Sequence, residues 1–238
     1  MTHDVRRFPD AAAAIDACGE QILGWLSEAI DEKGQAALAI SGGTSPRRMF
    51  ETFARTKFDW NSVHLFWVDE RGVPPTDSQS NFKLTQDSWL GPGKFPPANV
   101  HRIHAELDPA EAAARYIEDI QRFFGLSAGE LPRFDVIHRG MGPDAHTASL
   151  FPGEPLIENR ADIAAAVWVE KFQQWRITLL PGVLMAAHRT ALLVNGGDKT
   201  AALRSVLHAP FDSLRYPAQL ASGEGTVWFV DAAAAQEP

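Results

Sequence analysis

Short runs of continuous apolar residues, each followed by a polar loop and then an amphipathic stretch, constrain this chain most. Ala36-Ala37-Leu38-Ala39-Ile40 is the clearest run, and Ser41-Gly42-Gly43-Thr44-Ser45-Pro46 follows it directly. A run without a polar face suits a strand buried on both sides. Before it, Asp10 is placed to cap a helix reaching Lys33, with Ile15, Cys18, Ile22, Leu26 and Ile30 on one stripe and Gly34 to end it. The pattern recurs along the chain. Strands are expected at Val63–Val68, Val100–His104 and Phe134–His138, then near Val167–Val169, Arg176–Leu180, Ala191–Val194 and Val227–Val230. Helices are expected from Arg47 to Thr56 (with Pro46 opening it), Asn81 to Trp89, Asp108 to Phe124, Gly182 to His188 and Asp198 to Leu207. Strands alternating with helices predict an α/β fold with a mainly parallel sheet covered on both faces.

No linker, repeat or low-complexity stretch divides the 238 residues, which predicts a single domain with a frayed tail from about Ala232. The net charge of −8 argues against nucleic acid or an anionic membrane as the partner. No apolar run approaches a membrane span, and the N-terminus leads into no signal-peptide core. Cys18 is the only cysteine and sits on a helix stripe, so it reads as a core thiol. These features predict a soluble, cytoplasmic protein.

In parallel sheets ligands bind beyond the carboxyl ends of the strands. Ser41–Ser45, Asp69-Glu70-Arg71, Gly140–His146 and Asn195–Lys199 each follow a predicted strand. In the first, Gly42 and Gly43 allow close backbone approach to an anion, and Thr44 and Ser45 add hydroxyl donors. A plain tight turn is the alternative there. Arg71, Arg47, Arg176 and Lys199 are candidate contacts for a phosphate or a developing oxyanion, although the place of Arg176 depends on topology. Gly140-Met141-Gly142-Pro143-Asp144-Ala145 formally satisfies a dinucleotide-binding fingerprint. Pro143 and Asp144 oppose a pyrophosphate there, and Pro152-Gly153 leaves little room for the required helix. The segment reads better as acid–base equipment, with His146 exchanging protons and Asp144 orienting it. His101 and His104 lack partners for a metal site, and His138-Arg139 is expected to form a structural ion pair.

Together these segments resemble the 6-phosphogluconolactonases. That family carries Ser-Gly-Gly-[Ser/Thr]-x-Pro, matched at Ser41–Pro46, and Asp-Glu-Arg with a later Ser-Asn, matched at Asp69–Arg71 and Ser80-Asn81. Its long signature Gly-Met-Gly-Pro-Asp-Gly-His-Thr-Ala-Ser-Leu-Phe-Pro-Gly is matched from Gly140 to Gly153 except at Ala145. Arg-Ile-Thr-Leu and Gly-x-Asp-Lys match Arg176–Leu179 and Gly196–Lys199.

The resemblance implies a three-layer sandwich with a Rossmann-like sheet, shared with glucosamine-6-phosphate deaminase and ribose-5-phosphate isomerase. It implies hydrolysis of a sugar-phosphate lactone in the oxidative pentose phosphate pathway, with no cofactor and no metal. His146, Asp144, Arg71 and Asp69 would be catalytic. Ser41, Gly42, Gly43, Thr44, Ser45, Arg47, Arg176 and Lys199 would hold the substrate phosphate. The alternatives are a glucosamine-6-phosphate deaminase or isomerase and a non-catalytic sugar-phosphate-binding protein. The deaminases place a glutamate where this chain has Phe151, which favours the lactonase. A monomer or weak dimer is compatible with the sequence. Ala145, in place of the usual glycine, is expected to take an ordinary negative φ.

Overall fold

The computed structural model describes residues 3–221 and 223–236. Ten strands and six α-helices run in the order β1 (Asp4–Phe8), α1 (Ala11–Lys33), β2 (Ala36–Ile40), α2 (Arg47–Arg55), β3 (Val63–Trp67), β4 (Asp69–Arg71), α3 (Asn81–Thr85), β5 (Val100–His101) and α4 (Pro109–Phe124) among the described residues. They continue with β6 (Val136–Gly140), β7 (Ala164–Val169), β8 (Gln174–Leu179), α5 (Pro181–Ala186), β9 (Arg189–Val194), α6 (Thr200–His208) and β10 (Thr226–Asp231). This is an α/β fold with a central parallel sheet and flanking helices.

Seven strands form the parallel sheet in the order β1-β10-β9-β6-β2-β3-β5. The chain progresses outward from β2 through β3 to β5, then returns to β6 on the other side of β2. The loops leaving β2 and β6 therefore diverge, which opens a crevice at the carboxyl edge. Phe66 of β3 packs against Phe123 and Phe124 of α4 on one face. Residues in register with it share that face, including Ala39 and Ile137. The opposite face carries α1, which packs against β2, β6, β9 and β10, with α2 beside it.

Local chemistry explains the best-formed helices. Asp10 Oδ1 accepts from Ala13 N at 2.8 Å, and Asp108 Oδ1 accepts from Ala110 N at 3.0 Å, so each carboxylate caps the helix after it. Cys18 is buried in the core, where burial pushes its thiol pKa up. No helix among the described residues is long and apolar enough to cross a membrane.

Several expectations need correction. Asp69–Arg71 is not a loop at the end of a central strand but its own strand, antiparallel to β8 in a second sheet ordered β4-β8-β7. Val68 makes the transfer: its N–H donates to Ile40 O at 2.8 Å, and its carbonyl accepts from Leu179 N at 2.8 Å. The helix begun at Asn81 passes into a π-helical turn at Gln86–Leu90, β5 stops at His101, and Pro46 precedes α2 instead of lying inside it. β1 lacks an apolar run because it is a mostly exposed edge strand. Residues 232–235 form a turn that packs back onto the domain. Asp231 Oδ1 accepts from Ala234 N at 2.8 Å, and Ala234 is buried in the core. Residues 237–238 lie outside the described residues.

Candidate active site

A cleft opens where the loops after β2 and β6 part. Ser41–Pro46 forms one wall and Gly140–Gly142 with His146 the other, while Asp69, Arg71 and Arg176 enter from the second sheet and Lys199 from the loop after β9. Thus almost every residue singled out by sequence meets in one place. Arg47 does not: it is exposed on α2 and is absent from the cleft lining. Asp144 stands behind His146 rather than in the lining.

The catalytic-loop candidate is shaped by its own backbone. Gly142 N donates to His146 O at 2.9 Å, and Ala145 N donates to Gly142 O at 3.0 Å. The His146 ring folds back over this turn, where a Cβ on Gly142 would lie 2.1 Å from its Nδ1 and Cε1. Only glycine leaves room for the imidazole.

His146 Nδ1 and Asp144 Oδ1 are 2.5 Å apart, and Lys171 Nζ reaches Asp144 Oδ2 at 3.1 Å. The hydrogen bond from His146, with Lys171 assisting, holds the Asp144 carboxyl well below the usual carboxylate range. With Nδ1–H donated to Asp144, Nε2 is left with a lone pair for proton transfer. Phe151 stacks on the imidazole, with ring centroids 4.2 Å apart.

Ala145 contradicts the expected negative φ, for its φ is +66°. The turn from Gly142 to His146 requires the left-handed geometry. Ala145 O accepts from Ala218 N at 2.9 Å, and the methyl group packs with Met141, Leu192 and Ala218. Burial of the methyl offsets a strain of roughly 1–2 kcal/mol.

Across the second sheet Arg71 and Arg176 occupy directly opposed positions. Arg71 Nη1 donates to Gln79 O at 2.5 Å, but Nε of each guanidinium is buried without a partner among the described residues. Burial lowers the Arg176 pKa, nearby Asp69 raises it and Arg71 lowers it further. Two opposed arginines are destabilising unless an anion lies between or above them. Asp69 Oδ2 accepts from Ser149 Oγ at 2.6 Å, which fixes its carboxylate beside them.

Glu70 points the other way and is structural. Its carboxylate accepts from Arg71 N, Asn81 N, Phe82 N and Ser80 Oγ at 2.7, 2.7, 2.8 and 3.0 Å. Burial pushes its pKa up against those hydrogen bonds. It thereby pins Asn81, whose Nδ2 donates to Asp69 O at 2.8 Å. The Asn81 side chain fills the space a Cβ on Gly42 would need, at 1.9 Å, so the phosphate-loop candidate must have glycine there. Asn81 and Ser149 were legible in sequence only as motif positions; nothing local signals their hydrogen bonds.

The expected ion pair at His138-Arg139 is absent. Two basic side chains cannot pair with each other, and both are buried on opposite faces of the sheet without a hydrogen-bond partner among the described residues. Among the described residues no group of three or more His, Cys, Asp or Glu side chains is placed to hold a metal. His101 instead packs flat on Phe66 and pairs with Asp119 at 2.9 Å.

Residues 9–229 match the family described as glucosamine-6-phosphate isomerases/6-phosphogluconolactonase. The chain belongs to this family. A 6-phosphogluconolactonase of a Nostoc species is 36% identical, covering 100% of this chain and 99% of the relative. One from Synechocystis is 35% identical, covering 87% of this chain and 86% of the relative. The crystal structure of a 6-phosphogluconolactonase from Thermotoga maritima superposes with a TM-score of 0.84 at 28% identity, covering 97% of this chain and 100% of that one. Family membership agrees with the architecture, a parallel sheet whose switch point carries the cleft.

Proposed function

We propose that this chain hydrolyses 6-phospho-D-glucono-1,5-lactone to 6-phosphogluconate, in the oxidative pentose phosphate pathway and in the cytoplasm, as one catalytic domain. One observation carries the reading. The His146–Asp144 pair and the Ser41–Ser45 loop face each other across one cleft, with Arg71, Arg176 and Lys199 beside them. That arrangement suits a substrate with a phosphate at one end and a proton-demanding carbonyl at the other. The relatives named above are 6-phosphogluconolactonases, which supports the same substrate.

In this mechanism the Ser41–Ser45 amides and hydroxyls, Arg176 and Lys199 hold the phosphate and so fix the lactone over the catalytic loop. His146 Nε2 takes a proton from water as its oxygen attacks C1. Arg71 stabilises the resulting oxyanion. The intermediate collapses with cleavage of the bond between C1 and the ring oxygen, and His146 returns its proton to that oxygen. Asp144 holds the imidazole in the required tautomer and supports its charged form. Asp69, fixed by Ser149, keeps the water in place. No cofactor enters the sequence.

A deaminase would need a proton-exchanging group where Phe151 stacks on His146, and a phenyl ring cannot serve. The test is an assay of lactone hydrolysis corrected for the spontaneous rate, with glucosamine 6-phosphate run in parallel. Acceleration of the first without ammonia from the second is the expected result. Ammonia release, or no acceleration, would overturn the reading.

A further inference from the structure

His138 is a buried polar group at this cleft that the reaction does not use. It is 1% exposed, it lines the cleft, and neither ring nitrogen has a hydrogen-bond partner among the described residues. Leaving both nitrogens unmet is unfavourable unless a ligand or water meets them.

The strand register shows which part of the cleft the ring serves. His138 is paired with Ile40 and Ala191, and in a parallel sheet such neighbours share a face. Ile137, one residue earlier, is in line with Ala39 and Phe66 on the face that α4 covers. His138 therefore points to the other face, where the chain leaves β2 through Ser41 toward α2. Ser41 N donates to His138 O at 3.1 Å, and the Ser41 hydroxyl is itself buried without a partner among the described residues. Leu193 shares this face and also lines the cleft. The catalytic loop packs elsewhere: Met141 and Ala145 lie with Leu192 and Val194 on the opposite face.

We propose that His138 is a further substrate-binding residue, donating a ring N–H to the phosphate group held by the Ser41–Ser45 loop. The assignment rests on the sugar-phosphate reading of the cleft. A phosphate monoester offers only acceptors at neutral pH once it is a dianion, so it requires donors around it. Burial pushes the His138 pKa down to about 4, so the free protein presents a neutral ring with one N–H. A neutral donor in the floor adds a hydrogen bond without placing another cation beside Arg71, Arg176 and Lys199. It also favours a phosphorylated substrate over the same sugar lacking the phosphate.

Calorimetric titration of wild type, His138→Leu and His138→Gln with inorganic phosphate and with 6-phosphogluconate tests this, with gluconate as control. The leucine variant is expected to bind both phosphate ligands about tenfold more weakly, the size of one hydrogen bond to a charged group. The glutamine variant, which keeps an N–H donor, is expected to recover part of that loss. On the lactone, KM rises about tenfold while kcat holds within about twofold. Phosphate affinity equal to wild type in the leucine variant, or a fall in kcat instead of a rise in KM, overturns the assignment. Wild type that hydrolyses the lactone yet gives unchanged variants leaves the sugar-phosphate reading standing and removes His138 alone. Wild type that binds neither phosphate ligand removes both. Should the leucine variant not fold, the imidazole nitrogen resonances of the wild type decide: a phosphate-induced shift at His138 supports the contact, and none refutes it.

Discussion

Arg71 and Arg176 stand directly opposite one another on adjacent antiparallel strands, each with its Nε buried and without a partner among the described residues. The Asp69 carboxylate partly offsets the repulsion within this pair, and an anionic ligand would add to that relief. In the proposed function the second sheet is therefore part of the binding machinery.

Phosphate is accordingly expected to raise the unfolding temperature in a concentration-dependent way, since it binds the folded state alone. Arg176→Met should raise KM for the lactone at least about tenfold and largely abolish that thermal shift. Its own stability without ligand should change by less than about 1 kcal/mol, because relief of repulsion offsets lost contacts. A large loss of ligand-free stability would show that the arginine is structural.

Asp144→Asn should lower kcat by about 10²–10⁴-fold with little change in KM, because the amide no longer selects the imidazole tautomer that leaves Nε2 free. Steady-state kinetics above the spontaneous blank measures this. A variant within fivefold of wild type would remove Asp144 from the mechanism.

Gly142→Ala places a methyl where the His146 ring lies. The ring must shift by more than an ångström, and kcat should fall at least about 10²-fold while the fold persists. Circular dichroism and kinetics separate the two effects. Full activity would mean that His146 works in a different rotamer.

His138 makes stability depend on pH. Folding holds its pKa near 4, against about 6.5 for an unfolded histidine. Between those values the unfolded chain binds more protons, so this contribution falls as pH drops from about 6.5 to about 4 and is constant above. Urea unfolding across that window should show wild type losing on the order of 3 kcal/mol more than His138→Leu. Equal pH slopes would contradict this.

The elements legible in the sequence are those whose signals are local. Asp10 and Asp108 cap α1 and α4 as their positions suggest, and the uninterrupted run of β2 is buried throughout. The candidate site was legible as motifs whose loops the parallel topology brings to one edge. What escaped depends on distant pairing. β4 consists of Asp69, Glu70 and Arg71, which carry no apolar pattern, and its partner Thr178 lies far along the chain. The positive φ of Ala145 follows from hydrogen bonds to Gly142 and Ala218 that no propensity encodes. His138 and Arg139 read in sequence as charges with an ion-pair partner, yet the strand buries both, on opposite faces, with none among the described residues.

The most direct test of the account is the rate of 6-phosphogluconolactone hydrolysis above the spontaneous blank for wild type and His146→Gln, with 6-phosphogluconate affinity measured on both. The account predicts rapid catalysis by wild type, a loss of at least about 10³-fold in the variant, and product affinity changed by less than threefold. A His146→Gln enzyme that turns over the lactone at the wild-type rate would contradict it.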